Sequence, residues 1–273
     1  MDIGTKVTLN NGIEMPLLGL GTYMMRSGKE TESAVLWALD AGYRLIDTAT
    51  LYENERSVGK ALKKSGVPRE EVFLTTKLWN SDHGYERALA AFQESLGKLG
   101  LDYIDLYLIH WPVERLRGDS WRALETVLAD GKCRAIGVSN YTIGHLEELL
   151  ESSKTVPAVN QVEFSPYLFQ RDLLDFCRAH NIQLEAYSPL TRGRRLGDRK
   201  LAHIAERYGK SPAQVLIRWA LQHEVVVIPK PSRMERIREN TGVFDFSISP
   251  EDMERLDSFD EDLHTDWDPT DAP

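Results

Sequence analysis

Asp47, Tyr52, Lys77 and His110 bring together a carboxylate, a phenol, an ammonium and an imidazole, and each lies at or just past the end of a strand-like apolar run. Those runs, YRLIDTA (43–49), VFLTTKL (72–78) and IDLYLIHW (104–111), follow one another along the chain. A free phenol, with a pKa of about 10, donates protons poorly near neutrality, and a nearby cation lowers that value. Lys77 is suited to be that cation, Asp47 to hold the ammonium, and His110 to donate a hydrogen bond to a substrate oxygen. Together the four make an acid catalyst beside an electrophilic carbonyl. None of them supplies a hydride or another nucleophile, so a cofactor is implied.

Taken singly, each residue has a plainer reading. An aspartate at a strand end often only caps a helix, and a histidine ending an apolar run is more often a satisfied core residue. Lys77 is harder to dismiss, because lysine is seldom buried without a partner. The joint placement at the ends of successive strands carries the catalytic reading, since parallel strand-helix barrels build their sites at that rim.

The elements needed to position the set are legible as strand runs at 17–22, 43–49, 72–78, 104–111, 133–140, 158–164, 183–189 and 225–230, separated by amphipathic stretches such as KETESAVLWALDAG and SPAQVLIRWALQH. This alternation predicts an α/β fold, a (β/α)8 TIM barrel, as one domain over residues 1–273. Ahead of it, VTLNNGIEM (7–15) carries an Asn-Gly pair that predicts a β-hairpin with a two-residue turn, capping the barrel floor. An open doubly wound sheet usually places a glycine-rich phosphate loop after its first strand, and GLGTYMM lacks that fingerprint.

Charge and composition narrow the function. A net charge of -9 argues against nucleic-acid or anionic-membrane partners. No apolar run nears the roughly 20 residues of a membrane helix, and MDIGTKVTLNNG has no basic head or apolar stretch of a secretory signal, so a cytoplasmic location is expected. The two cysteines, Cys133 and Cys177, lack metal-binding or redox spacing and are expected to be reduced, with no metal site. Tyr23, Trp79 and Trp111 follow the first, third and fourth strands, where their rings would line an apolar mouth.

The segments GLGTY, DAGYRLIDTATLYENERSVGKAL, TTKLWNSDHGY, LDYIDLYLIHWP, GKCRAIGVSN, NQVEFSPY, AYSPL and IPKPSRMERIREN resemble the aldo-keto reductase superfamily over nearly the whole chain, with the bacterial 2,5-diketo-D-gluconate reductase group as the nearest likeness. The resemblance implies a barrel that binds NADPH without a Rossmann fold, with Asp47, Tyr52, Lys77 and His110 as its catalytic tetrad. It implies a nicotinamide site of Ser139, Asn140, Gln161 and the ring of Tyr187, with Gly21, Thr22, Ser188 and Leu190 as further cofactor contacts. At the adenosine end it implies Lys230, Ser232 and Arg236 around a 2'-phosphate, helped by a helix N-terminus, and Glu239 and Asn240 at the adenine edge. Pro231 displaces the serine by one place from the family's Lys-Ser pair. Arg192, Arg194 and Arg195 are candidates for gripping the pyrophosphate, and Trp267 for folding over the substrate opening.

The expected activity is reduction of an aldehyde or ketone, with hydride from NADPH and a proton from Tyr52, by a chain that family analogy makes a monomer. Related barrels also serve as nicotinamide-binding auxiliary subunits of channels, so an NADPH-sensing role with little turnover is the alternative. The chain starts almost directly with the hairpin, without an added inactivating segment, which favours the enzyme.

Overall fold

The structure, a computed structural model, describes residues 1–231 and 233–271. A short hairpin of β1 (Lys6–Thr8) and β2 (Glu14–Pro16) precedes eight parallel strands. These are β3 (Leu20–Gly21), β4 (Leu45–Asp47), β5 (Phe73–Leu78), β6 (Ile104–Ile109), β7 (Cys133–Ser139), β8 (Val159–Glu163), β9 (Gln183–Tyr187) and β10 (Val226–Val227), each hydrogen-bonded to the next in chain order. The sheet closes on itself: Gly19 N donates to Val227 O at 2.9 Å and Val227 N to Leu17 O at 2.9 Å. The expected (β/α)8 barrel is the observed one. Closure leaves the eight-stranded sheet without an edge strand.

β5 and β6 are buried along their whole length; β6 is apolar except for Asp105, and the polar residues of β5, Thr75, Thr76 and Lys77, are fully buried. The covering layer is α1 (Lys29–Asp40), α2 (Glu55–Ser65), α3 (Tyr85–Leu99), α4 (Arg117–Ala129), α5 (Ile143–Ser152), α6 (Arg171–Ala179), α7 (Arg199–Tyr208) and α8 (Pro212–Gln222), with α9 (Met234–Thr241) and α10 (Pro250–Asp257) after the last strand. Local signals set the boundaries. Thr142 and Ser211 form capping boxes at the starts of α5 and α8, and α2, α3 and α7 end on Gly66, Gly100 and Gly209 in the left-handed region.

The hairpin differs from expectation in its turn. Leu9 N bonds Ile13 O at 2.8 Å, so the loop holds Asn10, Asn11 and Gly12, with Gly12 at φ 83°. Three residues with a left-handed glycine allow the two asparagine side chains to turn away, and they bond Pro157 O and Arg134 O at 3.0 Å, next to the starts of β8 and β7. The hairpin therefore does cover the floor. On the same side, buried Asp105 accepts from Arg69 at 2.6 Å, Arg134 at 2.7 Å and the Leu74 N–H at 3.0 Å, tying β5, β6 and β7 together.

Most strands are shorter than the runs expected from sequence, and at the opposite rim several residues just past the strand ends, among them His110, Asn140, Ser188 and Ile228, line a cavity. Outside the barrel, Gly59 of α2 meets the end of α3 so closely that an added Cβ would lie 2.0 Å from Leu99 O, whereas Gly97 has nothing within 4 Å. Gly59→Ala is expected to destabilise the fold by about 1–3 kcal/mol despite alanine's better helix propensity. Gly97→Ala should stabilise it by about 0.5–1 kcal/mol. Urea denaturation of both variants checks the pair, and an unchanged or raised midpoint for Gly59→Ala contradicts the packing described.

Candidate active site

At the C-terminal rim of β5, Lys77 is fully buried and its Nζ donates to Asp47 Oδ1 at 2.6 Å, Asp47 Oδ2 at 2.7 Å and Thr48 O at 3.0 Å. A fourth contact, 3.3 Å, runs to the Tyr52 hydroxyl oxygen. The strand pairing explains the meeting: β4 lies beside β5 and Asp47 sits opposite Thr75, so the carboxylate and the ammonium two residues further on share the barrel interior. Because the Lys77 ammonium cannot accept a hydrogen bond, the Tyr52 O–H is left to donate elsewhere.

Tyr52 is held by a short 3-10 turn, Thr50–Tyr52, whose exit residue Glu53 is left-handed at φ 54°. Asn54, fully buried, fixes that turn: its Oδ1 accepts from Thr48 at 2.7 Å and its Nδ2 donates to Thr22 O at 3.0 Å and Met25 O at 3.2 Å. His110 follows β6, with its ring centroid 5.6 Å from that of Tyr52 and 5.2 Å from that of Trp79, both edge-on. Its Nδ1 is buried without a hydrogen-bond partner among the described residues. The four residues singled out from the sequence thus converge.

Burial dominates their proton equilibria. The His110 imidazole is driven well below its ordinary value, first by desolvation and then by the Lys77 charge, so the ring is neutral and carries one N–H. Burial also pushes the Asp47 carboxyl up, opposed by Lys77 and by the Gln161 amide. For Tyr52 the expected direction is reversed. Desolvation, followed by the negative charge of Asp47, raises the phenol well above its ordinary value. The Lys77 charge is matched by Asp47 at contact distance, so it does not lower the phenol as the residue types alone suggested.

Asp47, Tyr52 and His110 line a cavity of about 710 Å³ that extends from Trp79 and Trp111 to Lys230 and Arg236. Of the residues expected at a cofactor, Gly21, Ser139, Asn140, Gln161, Tyr187, Ser188, Leu190, Lys230 and Arg236 line it. Asn140 and Ser188 have φ of 63° and 48°, left-handed turns that end their strands at the cavity wall. The amides are interlinked: Tyr187 Oη donates to Asn140 Oδ1 at 2.9 Å, Asn140 Nδ2 donates to Ser139 Oγ at 3.1 Å, and Gln161 Nε2 donates to Asp47 Oδ2 at 2.9 Å. Lys230 and Arg236 are exposed and have no ion-pair partner among the described residues, the condition of cations available to an anion.

Other expected residues stand apart from the cavity. Thr22 is buried behind the wall, donating to Asp47 O at 2.9 Å. Glu239 and Asn240 lie on α9 and are not among the lining residues; Glu239 accepts from Ser211 at 2.5 Å. Ser232 lies outside the described residues. The arginine loop is tied to the C-terminal segment: Arg192 pairs with Asp266, Arg195 with Glu261 at 2.5 Å, and Arg194 donates to His264 O at 3.3 Å. Only Arg192 of the three lines the cavity.

Tyr23, Trp79, Trp111 and Trp267 all line the mouth, where Met24 and Leu51 join them. Trp267 packs on Trp111 with ring centroids 4.9 Å apart. It is brought there by buried Glu163 at the end of β8, whose carboxylate accepts from Thr265 N at 2.9 Å and Asp266 N at 3.2 Å. Sequence reading missed Glu163, Asn54 and Asp266. Asn54 had a signal, a polar N-cap directly after the TATLYE turn, but Glu163 and Asp266 gain meaning only from contacts between residues 74 to 103 positions apart. Among the described residues no His, Cys, Asp and Glu group is arranged to hold a metal ion, and Cys133 and Cys177 are buried free thiols.

Residues 17–261 match the profile of the Aldo/keto reductase family. The chain is 54% identical over 256 residues to glyoxal reductase of Bacillus subtilis (strain 168), covering 94% of this chain and 93% of that one. Among solved structures, it superposes with a TM-score of 0.95 and 46% identity on an aldo-keto reductase enzyme from a Medee basin deep-sea metagenome library, covering 98% and 100% of the two chains. An aldo-keto reductase of Bombyx mori in complex with NADP superposes with a TM-score of 0.90 at 35% identity, covering 95% and 94%.

The Lys77–Asp47 pair yields a stability prediction. Lys77→Met leaves an uncompensated buried carboxylate and is expected to cost about 3–5 kcal/mol. Urea denaturation measures it, with Asp47→Asn/Lys77→Met recovering part of the loss. A single variant as stable as the parent contradicts the pairing.

Proposed function

The chain belongs to the Aldo/keto reductase family, and from that premise we propose that it reduces aldehydes and ketones to alcohols with NADPH, Asp47, Tyr52, Lys77 and His110 forming the catalytic set. The observation that carries this is the Lys77 ammonium contacting both Asp47 and the Tyr52 oxygen at the wall of a cavity whose far end holds two cations unpaired among the described residues. The polar lining fits the cofactor: a hydroxyl at 139 and amides at 140 and 161, the last offering its carbonyl, for a carboxamide, the Tyr187 ring for a flat heterocycle, and Lys230 with Arg236 for the 2'-phosphate. When bound, NADPH supplies the hydride that reaches the carbonyl carbon.

The protein's own part is orientation and proton transfer. His110, neutral and holding one N–H, directs a hydrogen bond to the carbonyl oxygen. Tyr52, kept protonated by its burial, gives its proton to that oxygen as negative charge develops there, since an alkoxide is a far stronger base than a phenolate. Lys77 already points at the phenol oxygen, so its contact strengthens as that oxygen becomes anionic, a gain absent from the ground state. Asp47 holds the ammonium still. The rings of Trp79, Trp111 and Trp267 give the same space an apolar lining.

The assignment to the 2,5-diketo-D-gluconate reductase-like group rests on the sequence motifs alone, and the relatives described above carry other names. A cytoplasmic monomer is the state we infer by analogy with the family, and the acidic charge supports the absence of a nucleic-acid partner. Among the described residues no helix is long and apolar enough to cross a membrane.

Tyr52→Phe should lower turnover by about 10²–10⁴-fold, the usual worth of a positioned general acid, while NADPH binding measured by fluorescence titration stays unchanged. Full activity in this variant removes Tyr52 from the mechanism, and wild-type binding of NADPH without turnover of any carbonyl in a broad panel favours the sensing alternative. Arg236→Met should weaken NADPH by about ten- to a hundredfold and leave NADH unaffected. Because the phenol is raised, single-turnover reduction should hold steady from neutrality and fall only above about pH 10. A decline centred near neutrality contradicts the protonated phenol.

A further inference from the structure

Glu185 lies on β9, two residues before Tyr187, fully buried, and the proton-transfer mechanism does not use it. In the ladder it stands opposite Gln161 on β8 and Val226 on β10. Its Oε2 accepts from Gln161 Nε2 at 2.8 Å, and the same nitrogen donates to Asp47 Oδ2 at 2.9 Å. A nitrogen flanked by two carboxyl oxygens admits only one orientation of the amide, which spends both of its hydrogens and leaves the Gln161 carbonyl as its remaining polar group. The second oxygen of Glu185, Oε1, is buried without a hydrogen-bond partner among the described residues.

The charges facing Glu185 are few: Asp47 from β4 and Lys77 from β5, with neutral Gln161 and apolar Val226 on its flanks. Asp47 already holds the ammonium at 2.6 Å, so an ionised Glu185 would make a second buried anion sharing one cation. Burial, with the Asp47 charge adding to it, pushes Glu185 up to about 8. The Asp47–Glu185 pair therefore holds a proton at neutral pH, favoured on Glu185 because the Lys77 ammonium sits on Asp47.

We propose that Glu185 is a positioning residue that, as a neutral buried acid, sets the Gln161 amide toward the cavity and gives up its proton when a cationic nicotinamide ring occupies the adjoining site. The inference rests on the reading of this cavity as an NADP(H) site. Its physical content is a charge balance. NADPH brings an uncharged ring and leaves the acid protonated, whereas NADP+ brings a positive ring that favours the carboxylate, the released proton passing to solvent. Glu185 thereby tilts the site between the two cofactor forms as pH changes, with NADP+ gaining affinity as the pH rises through about 8.

Titration calorimetry of the full chain with NADP+ and separately with NADPH, near pH 7.5 in two buffers of different ionisation enthalpy, counts the protons exchanged. Both cofactors carry the same 2'-phosphate, so its titration cancels in the difference. The wild-type protein should release a measurable fraction of a proton more with NADP+ than with NADPH, and NADP+ should bind about three- to tenfold more tightly at pH 9 than at pH 7, since one unit of pKa change equals tenfold. In Glu185→Gln, which keeps the shape and an acceptor for Gln161, both differences should vanish. A residue that only braced Gln161 would weaken the two forms alike and leave no pH dependence. Equal proton release with both forms in the wild type, or a difference that survives in Glu185→Gln, overturns the inference while leaving the reductase reading intact. Failure of either form to bind overturns both.

Discussion

The ion pair of Lys77 and Asp47 is the constraint around which the rest of the rim is organised. Both groups are buried, with Lys77 wholly inaccessible, and a charge removed from water is tolerable only when matched at contact distance. Satisfying that demand determines much else: β4 and β5 must be adjacent, their side chains must point inward at this level, and the turn carrying Thr48 must present its carbonyl to the ammonium at 3.0 Å. The same ammonium reaches the Tyr52 oxygen, so the phenol proposed as proton donor is located by an electrostatic requirement of the fold. Burial then keeps the phenol and the imidazole in their neutral forms, each with a hydrogen to give.

Around this pair the cavity divides by chemistry. One end is aromatic and is bordered by the C-terminal segment, which Glu163 anchors through backbone N–H groups and which brings Trp267 onto Trp111. The other end carries Lys230 and Arg236, cations without ion-pair partners among the described residues. A cluster of amides and hydroxyls joins the two. This gradient from apolar to cationic suits a dinucleotide laid along the rim with its reactive ring beside Tyr52, a disposition the barrel permits because every strand delivers its last residues to one face.

Much of this was legible in the sequence for a definite reason. In a parallel barrel the strands are buried on both faces and rich in apolar residues, so a charged or ionisable group near the end of such a run stands out, as His110 and Lys77 did. The order of the strands followed from chain order, which placed the three runs side by side. What stayed hidden depended on distance or on energetics. Glu185 sits in QLEAY, where alternating polar and apolar residues look like an ordinary strand with one face in water; only closure of the barrel turns that glutamate inward beside Asp47. The arginines after β9 suggested a phosphate grip, but their carboxylate partners lie some 66–74 positions on. The direction of the Tyr52 shift escaped because it weighs desolvation against a charge that Asp47 already balances, and desolvation wins.

The central claim, that Tyr52 and His110 share one substrate oxygen beside a bound nicotinamide, is most directly tested by a crystal structure of the protein with NADP+ and an unreactive carboxylate that mimics the carbonyl. The account predicts one ligand oxygen within about 3 Å of both the Tyr52 hydroxyl and a ring nitrogen of His110, with the nicotinamide against Tyr187. A dinucleotide lodged outside this cavity, or a ligand oxygen that meets neither side chain, would contradict it.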